Sequence, residues 1–323
     1  MKFSAGARAD AVGIVLGAVL DAIFGDPRRW HPVAGFGRFA GALERRLYAD
    51  NRWAGARFTA AAVGAPVMAA AIAARLTRDR PVARTAVVAA ATWSALGGSS
   101  LAREGRVMAR RLSSGDLAGA RAQLPNLCGR EPAGLQEPEL ARATVESLAE
   151  NTSDAVVAPL FWAAVAGVPG IVGYRAVNTL DAMVGHRSQR YALFGTASAR
   201  LDDAANLAPS RLTAALTVAA APLVGGSPTR ALRTWLREGS RHPSPNSGQC
   251  ESAAAGALGV RLGGRNVYGS RVEERPHLGD GPPPNPVDVR RAATLTIAVG
   301  AAAVVLAATT RLALGRRQRR RKN

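Results

Sequence analysis

Long uncharged runs place the tightest limit on what this chain can fold into. Five of them, each 17 to 20 residues long, cover residues 58–74, 85–102, 155–174, 212–229 and 292–310. An α-helix needs about 20 apolar residues to cross the hydrocarbon core of a bilayer, and it satisfies its own backbone hydrogen bonds there. We therefore predict an all-α, polytopic membrane protein built as a helical bundle.

The apolar segments nearest the N-terminus differ in how well they suit a membrane. A short one, at about residues 11–25, reaches spanning length only if its helix extends to Phe24. The runs at 58–74 and 85–102 are joined by ten residues that contain four arginines. Because basic loops stay on the cytoplasmic side, this pair is predicted to be a helical hairpin with a cytoplasmic loop.

The three later runs are of two kinds. Proline and glycine interrupt 155–174 and 212–229, and segments broken in this way can re-enter the membrane or line a cavity. The run at 292–310 is the best single span, and the basic tail RRQRRRKN that follows is expected in the cytoplasm. A single crossing there would put residues 230–291 on the opposite face from the tail.

The polar parts of the chain lie between these apolar segments. They cover residues 103–154, 175–211 and 230–291. We predict that residues 1–323 form one membrane-embedded domain in contact with lipid, and that the polar regions supply its chemistry.

The basic excess does not indicate a nucleic-acid partner. The formal net charge is +19, and all of the 42 basic residues except Lys2 and Lys322 are arginine. Aromatic residues make up 5% of the chain and do not alternate with the arginines, so platforms for base stacking are not expected. Basic loops beside membrane spans explain the charge better.

Cys128 and Cys250 match no metal or redox spacing.

A row of carboxylates marks the end of the first polar region. Glu146, Glu150 and Asp154 are four residues apart, so on a helix they share one face. Like charges at this spacing repel by roughly 0.2–0.5 kcal/mol per pair, and the row is better tolerated with a cation, an arginine or a substrate against it. A solvated surface with ion pairs is the alternative, although ionisable groups beside membrane segments are usually functional.

The second polar region repeats this pattern with arginine and amide side chains added. Most of its members lie three or four residues apart, which places them together on helical faces. A solvated helix surface is again the alternative. The residues are Arg175, Asn178, Asp181, His186, Arg200, Asp202, Asp203 and Asn206.

The third polar region contains a loop followed by a short helix, in residues 242–264. Two prolines and a glycine predict the loop, and Asn246, Ser247 or Gly248 would cap the helix. Free backbone N–H groups at such a helix end form an anion site, and Glu251 in the first turn suits the helix dipole. An ordinary capped helix is the alternative.

Four stretches occur in one chain in this order: DAIFGDPRRWHPVAGFGR, ENTSDAVVAPLFW, YRAVNTLDAMVGHRSQRYALFGTASARLDDAANLAPSRLTA and HPSPNSGQCESAAAGALGVRLGGRNVYG. Together they closely resemble the cobalamin-biosynthesis family CobD/CbiB, the adenosylcobinamide-phosphate synthases, over about residues 11–310. The resemblance implies a multi-pass inner-membrane enzyme. Such an enzyme joins aminopropanol, or its O-phosphate, to the last free carboxylate of the corrinoid adenosylcobyric acid, and the product is adenosylcobinamide or its phosphate.

The implied reaction suggests roles for the polar residues. Amide formation from a carboxylate needs activation, by analogy with other ligases through ATP and Mg²⁺, and Mg²⁺ prefers one or two carboxylates with substrate phosphates. The candidate metal ligands are Glu150, Asp154, Asp181 and Asp202. The candidate catalytic residues are Asp181, Asp202, Asp203 and His186, the histidine as a proton acceptor.

Binding of the substrates is assigned to side chains that can stabilise anionic charge or pair with amides and hydroxyls. They are Arg175, Asn178, Arg200, Asn206, Asn246, Ser247, Gly248, Glu251, Asp26 and His31. The chain has no GxxxxGK[ST] motif, so nucleotide would have to bind at a non-standard site.

Two other classes of function compete with a ligase. A transporter or permease would also show broken apolar runs with charges at their ends, but here the polar clusters occupy long segments and the two halves do not match. A membrane regulator without catalysis is the third possibility. Other late enzymes of the cobalamin pathway are possible partners of a ligase.

Overall fold

The computed structural model describes residues 4–26, 32–186, 188–268 and 271–320. These residues are mostly helical, with one two-stranded antiparallel sheet. The helices are α1 Ala5–Phe24, α2 Pro32–Leu47, α3 Arg52–Leu76, α4 Pro81–Ala95, α5 Gly98–Ser113, α6 Leu117–Gln123, α7 Glu137–Thr152, α8 Ala158–Leu180, α9 Thr196–Ala220, α10 Pro228–Glu238, α11 Ser247–Leu258 and α12 Pro286–Arg320. The strands are β1 Leu262–Tyr268 and β2 Arg271–Leu278.

Within the described residues, four continuous helical stretches are long and apolar enough to cross a membrane. They are Arg52–Leu76, Glu137–Gly185, Thr196–Val224 and Pro286–Gly315. Each contains or overlaps one of the predicted long runs, and the prediction of an all-α polytopic membrane protein is confirmed.

The predicted second arm of the N-terminal hairpin, residues 85–102, is wrong as a single span. Helix α4 ends at Ala95 after 15 residues, and α5 begins at Gly98. Leu96 between them is extended, with φ −79° and ψ 152°, and the two glycines that follow favour a chain break. The absence of charge in a run therefore did not guarantee one continuous helix.

Helix α8 is interrupted as predicted. Gly167 has φ 66° and ψ −148° in the middle of it, and Pro169 follows. A side chain at Gly167 would be strained in this conformation, whereas glycine adopts it freely. The second broken run also changes geometry at its end, where α9 gives way to a 3₁₀ turn at Ala221–Val224 and to Gly225 with φ 69°.

The chain divides into two compact units. Unit 1 comprises Met1–Gly97, Ala158–Asn206 and Ala303–Asn323, and unit 2 comprises Gly98–Val157 and Leu207–Ala302. Unit 1 has a core in which the rings of Phe58 and Phe194 lie 5.1 Å apart. Gly55 lies so close to the Phe194 carbonyl that no Cβ would fit there.

A buried acid joins three helices within unit 1. Asp10 on α1 accepts hydrogen bonds from Arg84 on α4, at 2.6 and 2.8 Å, and from Arg311 on α12. Burying a carboxylate is costly unless charged donors surround it, and two guanidinium groups do so here. This ion cluster holds the beginning of α1, the beginning of α4 and the last part of α12 together.

Helix α11 forms the centre of unit 2. All twelve of its residues are buried, and it packs against α7, α10 and the two strands. Small residues let α11 pack closely against α10. At Gly256 the two helices are so close that a Cβ would collide with the backbone of Arg230 and Ala231. A helix this enclosed brings its polar side chains into a site with little water.

Candidate functional site

Asp202 is the centre of a polar cluster in unit 1. Its Oδ1 accepts a hydrogen bond from the Asn178 amide at 3.3 Å, and its Oδ2 accepts one from the Asn206 amide at 3.0 Å. The Tyr174 hydroxyl donates to the Asn206 carbonyl oxygen at 2.9 Å, and Arg175 donates to Asn178 at 3.4 Å. Asp202, Asn206 and Tyr174 are buried. These bonds fix the orientation of the carboxylate.

A π-helical turn brings a second carboxylate close to Asp202. Helix α8 widens into this turn at Asp181–Gly185, and Asp181 interacts electrostatically with Asp202. The Asp181 carboxylate lies directly over Gly185, where a Cβ would overlap with Oδ1. Turns of this type often occur at functional sites. Five of the residues predicted from the second polar region are thus together: Arg175, Asn178, Asp181, Asp202 and Asn206.

The remaining predicted residues of unit 1 are less enclosed. His186 follows the π turn and is exposed, and Arg200 and Asp203 are exposed on α9. Asp26 is exposed just beyond the end of α1. His31 lies outside the described residues. The roles of these five stay predictions.

The predicted carboxylate row faces polar partners in unit 2. Buried Glu146 accepts hydrogen bonds from buried Arg130 and from the backbone N–H of Gly263, the latter at 2.7 Å. Glu150 accepts one from the Ser247 hydroxyl at 2.6 Å. Asp154 lies in a second π-helical turn, Ser153–Val157. A cation, an arginine or a substrate would make this row better tolerated, and at Glu146 the partner is an arginine.

Glu251 is the most enclosed carboxyl of this cluster. Only 1% of its surface is exposed, and neither oxygen has a hydrogen-bond partner. The His242 Nε2 atom is 3.9 Å from Oε1. Burial, followed by the charges of Glu146 and Glu150, holds the pKa of Glu251 well above its ordinary value. A proton on Glu251 therefore reduces the electrostatic repulsion among Glu146, Glu150 and Glu251.

His242 lies beside Glu251 with its ring close to both a carboxyl and a guanidinium group. Burial, followed by the charge of Arg275, lowers its pKa. The Ser244 backbone N–H donates to Nδ1 at 3.0 Å, which makes Nδ1 a hydrogen-bond acceptor. The Nε2 atom faces the Glu251 carboxyl and also lies 3.2 Å from Arg275 Nη1.

The predicted anion site at the start of α11 is partly occupied by the chain itself. Helix α11 does begin at Ser247, after Asn246. The Ser244 hydroxyl accepts from the backbone N–H groups of Asn246 and Ser247, at 3.3 and 3.2 Å. Gly248 packs against the Gly239 carbonyl with no room for a side chain. These backbone donors are thus less available to a phosphate than the sequence suggests. The side-chain Oδ1 of Asn246 accepts a hydrogen bond from the Ser210 hydroxyl at 3.1 Å.

In the parts of the chain that the structure describes, no three or more His, Cys, Asp or Glu side chains are grouped so as to hold a metal ion. The neighbouring carboxylates of Asp181 and Asp202 suit an ion that takes only one or two protein ligands together with substrate phosphates, as Mg²⁺ does. The assignment of Mg²⁺ ligands stays a prediction.

Sequence reasoning missed five residues of these clusters: Tyr174, Ser210, Arg130, His242 and Arg275. Tyr174 lies one helical turn before Asn178, and His242 opens the loop before α11, so their positions carried a usable signal. Arg130 and Arg275 are two of many arginines, and only the fold distinguishes them.

Comparison with known proteins identifies relatives along almost the whole chain. Residues 14–296 match the CobD/Cbib protein family. A protein named "Cobalamin biosynthesis protein CobD" from Mycobacterium tuberculosis is 55% identical, over 92% of this chain and 94% of its own length. Proteins of the same name from Geobacter metallireducens and Chromobacterium violaceum are 48% and 41% identical, over 86% and 88% of this chain and 89% and 91% of their own lengths.

No solved structure is significantly similar to the chain. The names of the relatives do not favour a transporter or a regulator. The match to the family covers the four motifs and both polar clusters. The chain therefore belongs to the CobD/Cbib family.

Proposed function

We propose that this protein works in cobalamin biosynthesis as a membrane-bound amide ligase. It joins aminopropanol, or its O-phosphate, to the remaining propionate carboxylate of adenosylcobyric acid. The observation that carries the proposal is the 55% identity to a cobalamin biosynthesis protein over 92% of the chain. The two buried polar clusters add to it, because a reaction between a carboxylate and an amine needs ordered charges and little water.

The cluster around Asp202 is the proposed site of carboxylate activation. Asp181 and Asp202 would hold Mg²⁺, which when bound with ATP neutralises charge on the phosphates. The amides of Asn178 and Asn206 keep the Asp202 carboxylate in place. Arg175, on the helix that carries Asn178, is placed to stabilise an anionic substrate group.

The cluster around Glu251 and His242, within unit 2, is a second proposed binding site for substrate. The carboxylates of Glu146 and Glu150 favour a cationic group such as the substrate ammonium, and Arg130 and Arg275 suit a phosphate on the same small molecule. Before the amine can attack, it must lose a proton to a nearby acceptor.

We further propose that the protein resides in the cell (inner) membrane with a cytoplasmic C-terminal tail, and that other late enzymes of the pathway contact it.

Asp181→Asn and Asp202→Asn test the activation site. Each is expected to reduce conversion of adenosylcobyric acid by about 10²–10³-fold, because a preorganised charge is lost, while the amount of protein in membranes stays the same. The measurement is corrinoid product formed per mole of purified protein. Asp79→Asn, in the exposed turn after α3, is the matched control. Wild-type turnover in both site variants would remove these acids from the reaction.

Growth of a deletion strain distinguishes a ligase from a transporter. Cells that lack this protein are expected to grow on cobinamide but not on cobyric acid, since only the step between them is missing. The corrinoid content of the cells is the accompanying measurement. Failure to accumulate either corrinoid would instead indicate transport.

A further inference from the structure

Helix α10 exposes a pair of leucines next to a row of arginines. Leu232 and Leu236 are one turn apart and are 42% and 70% exposed. Arg233 on the helix and Arg241 just beyond its end are also exposed, whereas the exposed Arg237 pairs with Glu238. The only acid of this helix, Glu238, is buried and accepts from the backbone N–H of Gly279 at 2.6 Å. The exposed face is therefore apolar on one side and cationic on the other.

The position of α10 in unit 2 places this face near the edge of a membrane. The candidate span Thr196–Val224 ends four residues before α10 begins at Pro228. Arg291, at the start of the last candidate span, donates to the Val224 carbonyl at 2.8 Å, so the two spans reach the same edge there. Leu223, in the final turn of the first span, is 70% exposed.

We propose that α10 lies in the surface of the bilayer that these spans cross. Leu232 and Leu236 enter the boundary between headgroups and acyl chains, and Arg233 and Arg241 bind the phosphates of anionic phospholipids. An amphipathic helix with leucines on one face and arginines on the next has the chemistry of an interfacial helix. Arginine stems can also follow the apolar surface while their charged ends reach the headgroups.

Photocrosslinking of the full-length protein in lipid nanodiscs tests this. p-Benzoylphenylalanine at position 236 is expected to form adducts with phospholipid, detected by the mass of the labelled peptide. In mixed nanodiscs, phosphatidylglycerol should be captured in preference to phosphatidylcholine. Removal of Arg233 and Arg241 by substitution with glutamine should lower that preference by about fivefold per arginine. The same label at Val305, which is 63% exposed in a candidate span, should capture lipid without regard to charge.

Ala133, in an exposed turn of unit 2 before α7, supplies the control for a position in water. Adducts at position 236 no more frequent than at Ala133 would overturn the proposal. So would equal capture of both lipids, or a crosslink from position 236 to a second protein chain. The readout does not involve corrinoid, so its failure would leave the proposed ligase activity standing.

Discussion

At the scale of single residues, the most unusual group is the enclosed carboxyl of Glu251. It has no hydrogen-bond partner, and two other acids raise its pKa in addition to the effect of burial. Folded protein therefore keeps a proton on Glu251 at pH values where the unfolded chain has lost it. By linkage, this group lowers the free energy of unfolding as pH rises from about 4.5 towards the raised value.

Glu251→Gln should remove this loss of stability at higher pH, because an amide cannot ionise. The variant is expected to be more stable than the wild type at neutral pH, by about 1–3 kcal/mol, with a difference that disappears below pH 4.5. Thermal unfolding in detergent from pH 4 to pH 8 measures it. Glu274→Gln, on the exposed side of β2, is the control and should show no such trend. A constant difference across the pH range would contradict a protonated Glu251.

At the scale of elements, the two π-helical turns each contain or begin with an acid of the predicted site. Asp154 lies in one turn, and Asp181 begins the other. The extra residue in such a turn rotates the following helix and leaves backbone groups outside the regular ladder. Hydrophobic periodicity predicted neither turn.

Gly185→Ala tests whether the second π turn positions Asp181. The new Cβ would overlap with the Asp181 carboxylate and displace it. Since the displaced atom is the end of a flexible side chain, we expect the free energy of unfolding to stay within about 1 kcal/mol of the wild type. We expect turnover to fall by about 10- to 100-fold. Gly64→Ala, where nothing lies within 4 Å of the new Cβ, is the matched control. Unchanged turnover in Gly185→Ala would show that the position of Asp181 is unimportant.

At the scale of the whole molecule, α12 decides the topology. It is one continuous helix of 35 residues, Pro286–Arg320, and is therefore about 50 Å long. If it crosses the membrane, the residues before Pro286 and the basic tail must lie on opposite faces. In unit 1, the Asp10 ion cluster places the turn between α3 and α4 on the same side as the end of α12.

Cysteines introduced at Asp79 and Pro283, both exposed, test this arrangement. With a membrane-impermeant thiol reagent on intact cells, Pro283→Cys should be labelled and Asp79→Cys should be protected, because the basic tail is expected in the cytoplasm. Both should react after the cells are broken. The parent chain, with Cys128 and Cys250, gives the background. Equal labelling of the two positions in intact cells would rule out a single crossing by α12.

Length and residue type decided much of the architecture in advance. The uncharged runs predict the four candidate spans, since a helix in lipid needs only enough apolar residues. The spacing of Glu146 and Glu150, and that of Asp202 and Asn206, predicts shared helical faces, which is a local property of the chain. The order of the motifs also indicated the family.

Only the tertiary structure decided which charges became partners. Glu146 binds Arg130, 16 residues away, and the N–H of Gly263, 117 residues away. Asp202 accepts a hydrogen bond from Asn178, which lies on another helix 24 residues earlier. No pattern of spacing identifies such partners, because long-range contacts depend on how the helices pack. The same packing buries Glu251 beside two other acids and leaves the leucines of α10 exposed.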